Sequence, residues 1–299
     1  MKTGKLLDNR SLWLMLVPVI IYFVVFKYLP LGGMLIAFQR YSPYRGFFGS
    51  EWVGFEYFIQ FFSSIYFGRV LRNTLMIGLF YLVFAFPMPI GLALIINGIP
   101  NGLFKKTTQT ITLLPHFVSF VVIAGIAINF LSPSVGVINA IIELFGGQPI
   151  YFMQEPQLFW PIYTAIRIFK ETGYEAIVYL AALSAIDPVL YESASIDGAS
   201  TRQKLFKITL PSITPTIIIM FLVRVGRLVT VSFEEVLLLQ NNVILSTSEV
   251  ISTFVYRRGL VGGGYSYAVA VGLLESLVAL ILVVGSNKLA RRYSENTLW

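Results

Sequence analysis

Residues 191–212 read YESASIDGASTRQKLFKITLPS, the longest polar run between two membrane-length apolar segments of the chain. The run opens with Glu192-Ser193-Ala194, has Gly198 six residues after the glutamate, and closes with Leu210-Pro211. A short amphipathic helix over about residues 188–199, a glycine turn and a second, basic helix fit this pattern. The stretch therefore predicts a compact docking element on the surface of a membrane protein.

The composition of the whole chain is that of a membrane protein. Of its 299 residues, 56% are apolar and 12% are charged, about half the charged fraction of a soluble domain, and its mean hydropathy is +0.76. Apolar runs of about twenty residues recur, each long enough to cross a bilayer as a helix. The net charge of +7 comes from basic residues beside these runs, which favours membrane topology over nucleic-acid binding as its explanation.

We predict an all-α, polytopic fold with about six transmembrane helices and both termini on the inner side. The spans are predicted at residues 12–38, 75–96, 111–131, 158–186, 214–239 and 267–284. Of the 22 Lys and Arg residues, eleven lie in the proposed inner segments, six in the outer segments and five within spans. This distribution follows the tendency of inner loops to be basic.

The predicted spans divide the chain into three parts. Residues 1–68 hold the first span and an outer loop, and residues 69–290 form a core transmembrane domain of five helices that includes the loop 187–212. Residues 291–299 form an inner tail. The chain has no G-x-x-x-x-G-K-[ST] phosphate loop, so any ATP that drives its function must bind another polypeptide.

The polar loop resembles the EAA loop of permease subunits from ATP-binding-cassette (ABC) importers, whose pattern is E-A-A, a glycine at the seventh position, then I-x-L-P. Ser193 stands where the pattern has its first alanine, and the rest is in register over twenty residues. Other stretches resemble the maltose-type family of carbohydrate importer permeases, and within it the polysaccharide or lipoprotein-type subgroup. They are LRNTLMIGLF at 71–80, FPMPIGLALIIN at 86–97, FKKTTQTITLLPHFVS at 104–119, IVYLAALSAIDPVLYESASIDGA at 177–199 and NKLARRYSENTLW at 287–299.

The resemblance implies a multi-subunit importer in the bacterial cytoplasmic membrane. A second homologous permease, expected to differ from this one, would complete the pore, a dimer of ATP-binding subunits would dock beneath it, and an extracytoplasmic solute-binding protein would deliver the oligosaccharide. The chain itself would be no enzyme and would bind no cofactor or metal, since the partner ATPase would use ATP and Mg. The ATPase-coupling residues that the resemblance implies are Glu192, Ala194, Asp197, Gly198, Ala199, Leu210 and Pro211.

Charged and aromatic side chains within the predicted spans are the candidates for a substrate pathway, because an unpaired charge in hydrocarbon is costly. The candidates are Arg167, Lys170, Tyr174, Arg224, Arg227 and Glu275. In one interpretation the charges form structural ion pairs, Arg167 with Glu171, and Arg224 or Arg227 with Glu234 or Glu275. In the other, some arginines face a water-filled cavity, where a guanidinium binds hydroxyls or carboxylates bidentately.

The charge count within the spans bears on the substrate. Away from the span ends, the four basic groups Arg167, Lys170, Arg224 and Arg227 exceed by one the three mid-span acids Glu171, Glu175 and Glu275, which favours an anionic sugar such as a uronate oligosaccharide.

Two other classes of function are open to a membrane protein of this size. A secondary transporter of sugars, not coupled to ATP, would need internal repeats or discontinuous helices about an ion site, and the sequence shows no convincing repeat. An intramembrane enzyme would need a catalytic constellation, but His116 is the sole histidine and the chain has no cysteine. We predict that His116 is packed or hydrogen-bonded.

Overall fold

A computed structural model of the protein describes residues 10–293. The chain divides into two compact units, a smaller one from Met1–Ser64 and Val255–Leu274 and a larger one from Ile65–Phe254 and Glu275–Trp299. The described part is almost entirely helical, as expected for a chain whose backbone groups must be satisfied within the bilayer.

The smaller unit begins with a long apolar helix and continues into a short hairpin. Its elements are α1 (Arg10–Phe23), which runs on through a π-helical turn at Val24–Tyr28 and a 3-10 segment at Leu29–Phe38, then β1 (Gln39–Arg40), α2 (Gly46–Gly49), β2 (Glu51–Trp52) and α3 (Glu56–Phe62). The two strands pair antiparallel, with Gln39 opposite Trp52 and Arg40 opposite Glu51. Nη2 of Arg40 also lies 3.3 Å from Oε2 of Glu56, an ion pair that links α3 to the hairpin.

The larger unit contains the rest of the helical bundle. Its first helices are α4 (Ile65–Phe80), α5 (Pro87–Gly98), α6 (Leu103–Phe117), α7 (Phe120–Phe130), α8 (Val137–Leu144), α9 (Phe159–Ser184), α10 (Pro188–Ile196) and α11 (Thr201–Lys204). After them come α12 (Leu210–Gly226), α13 (Phe233–Leu239), α14 (Leu245–Ser248), α15 (Ile251–Val255) and α16 (Tyr265–Tyr293), of which the last two cross the boundary with the smaller unit. A π-helical turn at Tyr81–Ala85 joins α4 to α5.

Four helical stretches among the described residues are long and apolar enough to cross a membrane, namely Trp13–Phe38, Ile65–Gly98, Thr201–Gly226 and Tyr265–Lys288. Two bent pairs qualify if each pair counts as one span. They are Leu103–Phe117 with Phe120–Phe130, bent by 97°, and Pro156–Ser184 with Pro188–Ile196, bent by 65°. The prediction of an all-α polytopic fold is confirmed, and a total of six spans includes both bent pairs.

Two predicted spans were wrong in their course. The third, predicted as continuous over 111–131, breaks between α6 and α7. Helix α6 continues past Pro115 to Phe117, Val118 is extended, and Ser119 caps a new helix by accepting from the Val122 N–H at 3.5 Å. The fifth, predicted over 214–239, ends at Gly226. The six residues after it are non-helical, and α13 starts only at Phe233.

Helix α9 organises the larger unit, since α4, α5, α6 and α12 all pack against it. A buried cluster of Ala93, Ala176, Tyr179, Leu183 and Ile213 joins α5, α9 and α12. Near the middle of α9, Gly173 allows α6 to approach so closely that an added Cβ would lie 1.8 Å from the Thr112 carbonyl oxygen. The small residue thus sets the distance between the two helices.

Candidate functional site

A cavity of about 500 Å³ lies in the larger unit, between α4, α9, the end of α12 and the start of α13. Its polar lining consists of Tyr81, Tyr163, Arg167, Arg224, Arg227, Thr230, Ser232 and Glu235. The non-helical link after Gly226 contributes several of these residues. The break in the predicted fifth span therefore opens a polar space inside an apolar bundle.

Arg167 on α9 is one of the two arginines with an acidic partner in this cavity. Its Nη1 lies 3.3 Å from Oε2 of Glu235, and the Tyr163 hydroxyl donates to the same oxygen at 2.7 Å. The expected pairing of Arg167 with Glu171 is wrong, because Glu171 points instead toward α6. Glu235 lies in the first turn of α13, where the helix dipole favours a negative charge.

Arg224, in the last turn of α12, pairs with Glu175 on α9. The Tyr81 hydroxyl donates to the same Glu175 oxygen at 2.9 Å. The expected partners of Arg224, Glu234 and Glu275, are therefore wrong. One was the acid nearest in the sequence and the other an acid of the last span, whereas the acid that reaches Arg224 comes from α9.

Two guanidinium groups lie over the Tyr81 ring. The Cζ atoms of Arg167 and Arg224 lie 4.7 Å and 4.5 Å from its centroid. Cation–π attraction of this kind is worth up to about 2 kcal/mol in a desolvated place. Tyr81 thus holds two like charges close together while its hydroxyl binds the acid that neutralises one of them.

Arg227 is different from the other two arginines. It is exposed, it caps the end of α12, and within the described residues it forms no ion pair or side-chain hydrogen bond. The cavity group thus contains three arginines against two carboxylates, Glu175 and Glu235. Within the part of the chain that the structure describes, one positive charge of this group has no ion-pair partner, and Arg227 carries it.

The other three pathway candidates do not line this cavity. Lys170 and Tyr174 lie against the end of α6, where Lys170 Nζ donates to the His116 carbonyl oxygen at 2.8 Å and Tyr174 stacks on the His116 ring at 3.8 Å. His116 Nδ1 lies 2.9 Å from Glu171 Oε2, which confirms a hydrogen-bonded histidine. Glu275 is half-buried on α16, with no ion pair in the described part of the chain.

Sequence reasoning missed Tyr81, Tyr163 and Glu235. One signal could have found the last of them, because Ser232 followed three residues later by Glu235 is the pattern of a helix start. Such a start inside a predicted span predicts a break in that span. No comparable signal marks the two tyrosines among the many aromatic residues of the chain.

The polar loop forms the predicted helix, glycine turn and second helix, although α10 ends earlier than expected, at Ile196. Asp187 caps α10 by accepting from the Val189 N–H at 2.9 Å, and Gly198 has φ +73°, a conformation that glycine adopts without strain. Ser200 and Gln203 form a reciprocal capping box at the start of α11. Both ends of α10 and the start of α11 are therefore each defined by a residue of their own, while α11 runs on into a π-helical turn at Leu205–Thr209.

Two side-chain bonds tie α10 to α11 and to the start of α12. Lys204 Nζ donates to Ser195 Oγ at 2.6 Å, and the hydroxyls of Tyr191 and Thr209 lie 2.9 Å apart. The residues assigned to coupling stand at the surface or close to it. Glu192, Asp197, Gly198 and Pro211 are exposed, and Ala194, Ala199 and Leu210 are partly buried. The loop is a folded block with a free outer face.

A bundle of apolar helices with a charged inner cavity and one folded polar loop defines a polytopic membrane transport protein. Residues 61–294 match the family described as the binding-protein-dependent transport system inner membrane component, and the chain belongs to this family. It is a permease subunit and not a catalytic one.

Several known proteins are similar to this chain over nearly its whole length. Protein LplB of Bacillus subtilis strain 168 is 43% identical over 291 residues, covering 97% of this chain and 92% of that protein. The polygalacturonan/rhamnogalacturonan transport system permease protein YteP of the same strain is 41% identical over 295 residues, covering 99% and 92%. The predicted resemblance to carbohydrate ABC importer permeases is confirmed.

The fold also matches a solved transporter. A chain in the crystal structure of a bacterial alginate ABC transporter, in complex with its alginate pentasaccharide-bound periplasmic protein, is 42% identical with a TM-score of 0.89. The match covers 97% of both chains.

Proposed function

We propose that this permease subunit carries acidic, uronate-containing oligosaccharides in an ATP-driven importer. The observation that carries the proposal is the charge at the cavity. Glu235 and Glu175 pair with Arg167 and Arg224, whereas Arg227 has no ion-pair partner among the described residues. The similar proteins support it, since one is a polygalacturonan/rhamnogalacturonan permease and another belongs to an importer of the acidic polysaccharide alginate.

The chemistry of the cavity suits a sugar acid that has to pass through. The guanidinium of Arg227 can receive a carboxylate in a bidentate bond, and Thr230 and Ser232 offer hydroxyls nearby for the sugar's own hydroxyls. Arg167 and Arg224 are already engaged by protein carboxylates. The guanidinium of Arg227, which has no ion-pair partner among the described residues, attracts the anion. A single such contact is weak enough for the sugar to leave again, which a translocation pathway requires.

The proposed assembly places a different partner at each side of the permease. A second, homologous permease would complete the pathway, a solute-binding protein would deliver the sugar, and two ATP-binding subunits, which bind the ATP and Mg, would receive α10. The exposed face of the loop supports this docking, since Ile196 is 88% exposed beside Glu192 and Asp197. Both termini would lie on the cytoplasmic side with the loop, as the distribution of basic residues favours.

The test is uptake by the assembled importer in proteoliposomes, with its binding protein, using uronate and neutral oligosaccharides of equal length. Uptake of the uronate sugar should fall about tenfold to a hundredfold in Arg227→Gln, because a hydrogen bond to a charged group contributes about 1.5–3 kcal/mol. Arg227→Lys should lose less, because it keeps the charge.

The matched control is Arg45→Gln, which removes an exposed arginine from the smaller unit and should leave uptake unchanged. Equal uptake of neutral and uronate sugars, or full activity of Arg227→Gln, would contradict the proposal.

A further inference from the structure

The junction between α6 and α7 is held by α9 through a compact group of polar contacts. Lys170 Nζ donates to the His116 carbonyl oxygen at 2.8 Å and lies 3.3 Å from Glu171 Oε1. The other oxygen of Glu171 lies 2.9 Å from His116 Nδ1. Lys170 and Glu171 are largely buried, with side chains 12% and 15% exposed. Neither residue lines the cavity that contains Arg167, Arg224 and Arg227. Their contacts are instead with the end of α6.

The ammonium group of Lys170 supplies a hydrogen-bond donor to a backbone carbonyl at the end of α6. The last carbonyl groups of a helix have no partner within it, and α6 turns by 97° into α7 immediately after Phe117. Lys170 satisfies one of these carbonyls from a different helix and places a positive charge at the negative end of the helix dipole. The end of α6 is thereby capped by α9.

A ring stack and a close backbone approach add to the polar contacts and further restrict movement of α6 relative to α9. Tyr174 stacks on the His116 ring with 3° between the ring planes. One turn earlier on α6, the backbone of Thr112 lies against Gly173 of α9, so closely that an added Cβ would not fit. The last turns of α6 are thus fixed to α9 along two of its turns, and a displacement of α9 must displace the end of α6.

Helix α9 connects this junction to the polar loop. It is one unbroken helix of 26 residues, and α10 begins at Pro188, after a link of three residues. With a rise of 1.5 Å per residue, Lys170 lies about 21 Å along α9 from Ser184. A stiff helix of this length can move both its ends together.

We propose that Lys170 and Glu171 are positioning residues of the transport cycle, which transmit movement of α9 to the bend between α6 and α7. The inference rests on the proposed docking of the ATP-binding subunits at α10, and it does not depend on which sugar is carried. Its consequence is that the bend changes its exposure when the nucleotide sites close, and that this change requires the contact between Lys170 and the end of α6.

The test uses single-cysteine labelling, because the chain has no cysteine of its own. Val118, which lies in the link between α6 and α7 and is 37% exposed, is replaced in Val118→Cys. Its reaction with a small thiol reagent is followed on this chain in the assembled importer, without nucleotide and after trapping with ATP and vanadate. We expect the rate to differ at least about fivefold between the two states.

The same measurement is made in three further backgrounds. In Lys170→Met the difference should shrink below about twofold, and uptake should fall at least about tenfold while ATP hydrolysis per assembled complex persists. Lys170→Arg should restore most of both readouts, because it keeps the charge. The control Lys105→Met removes a basic group from the first turn of the same α6, where its Nζ donates to Asn101 Oδ1 at 3.3 Å, and should behave as the parent chain.

Three results would overturn the inference. The labelling rate of Val118→Cys could be the same with and without nucleotide, or the difference between the two states could persist in Lys170→Met. In the third case, Lys170→Met would lose hydrolysis and uptake only in proportion to the loss of assembled complex, which would show that the lysine is merely structural. Failure of the proposed assembly is separate, since the ATP-binding subunits would then not co-purify with the permease. Failure of the sugar assignment is also separate, because the labelling needs no sugar.

Discussion

The carboxylate of Glu175 accepts the Tyr81 hydroxyl at 2.9 Å and also pairs with Arg224. Charged side chains of α9 reach the ends of three other helices, each at a break in the bundle. Glu175 meets the last turn of α12, Arg167 meets Glu235 in the first turn of α13, and Lys170 meets the end of α6. Helix α9 therefore holds the ends of the discontinuous helices in place.

The pair of Glu175 and Arg224 should contribute to stability as a unit. Glu175→Gln leaves the guanidinium partly buried without its acid, and we expect the free energy of unfolding to fall by about 1–3 kcal/mol. The double variant Glu175→Gln with Arg224→Met should be more stable than the sum of the two single changes predicts. Thermal unfolding in detergent measures this, and strict additivity would show that the two side chains do not interact.

Tyr81 allows its hydroxyl and its ring to be tested separately. Tyr81→Phe removes only the bond to Glu175 and should cost about 1 kcal/mol. Tyr81→Leu also removes the ring that Arg167 and Arg224 both contact and should cost up to about 2 kcal/mol more. The measurement is again the unfolding midpoint, and equal midpoints for both variants would contradict the proposed role of the ring.

Gly173 should tolerate no side chain. Gly173→Ala must push α6 from α9, because the new Cβ meets the Thr112 carbonyl oxygen, and overpacking of this kind costs about 1–3 kcal/mol. Gly91→Ala, in helix α5 with nothing within 4 Å of the added Cβ, is the matched control. It should be neutral or stabilise by up to about 1 kcal/mol. Comparable losses in both variants would show that the close approach is unimportant.

Gly198 should be needed for its backbone conformation alone. Its φ of +73° and the open space around it mean that an alanine there meets no neighbour but costs about 1–2 kcal/mol of backbone strain. Asparagine tolerates this conformation better. We expect Gly198→Ala to weaken co-purification of the ATP-binding subunits more than Gly198→Asn does. Co-purification equal to that of the unaltered chain in both variants would remove Gly198 from the coupling residues.

Much of the fold was predictable because it depends on local chemistry. The apolar runs indicated the helices and the polar loop indicated a helix, a glycine turn and a second helix, with Gly198 in the expected conformation. The two breaks that matter most, after Phe117 and after Gly226, were missed because apolar residues resume beyond them in α7 and α13, so that each predicted span was continued across its break. Hydropathy alone does not register a bend in such a run.

The amino-acid sequence alone established the class of the protein, its helical content and the residue types that form its polar cavity. The packing of the helices decided which charges meet, since Arg167 bonds Glu235 and Arg224 bonds Glu175 across the bundle instead of finding partners along the chain. The physical reason is that an ion pair forms where two oppositely charged side chains come within a few ångströms of each other in a medium of low dielectric constant. That distance is set by how α9 packs against its neighbours, and no local pattern contains it.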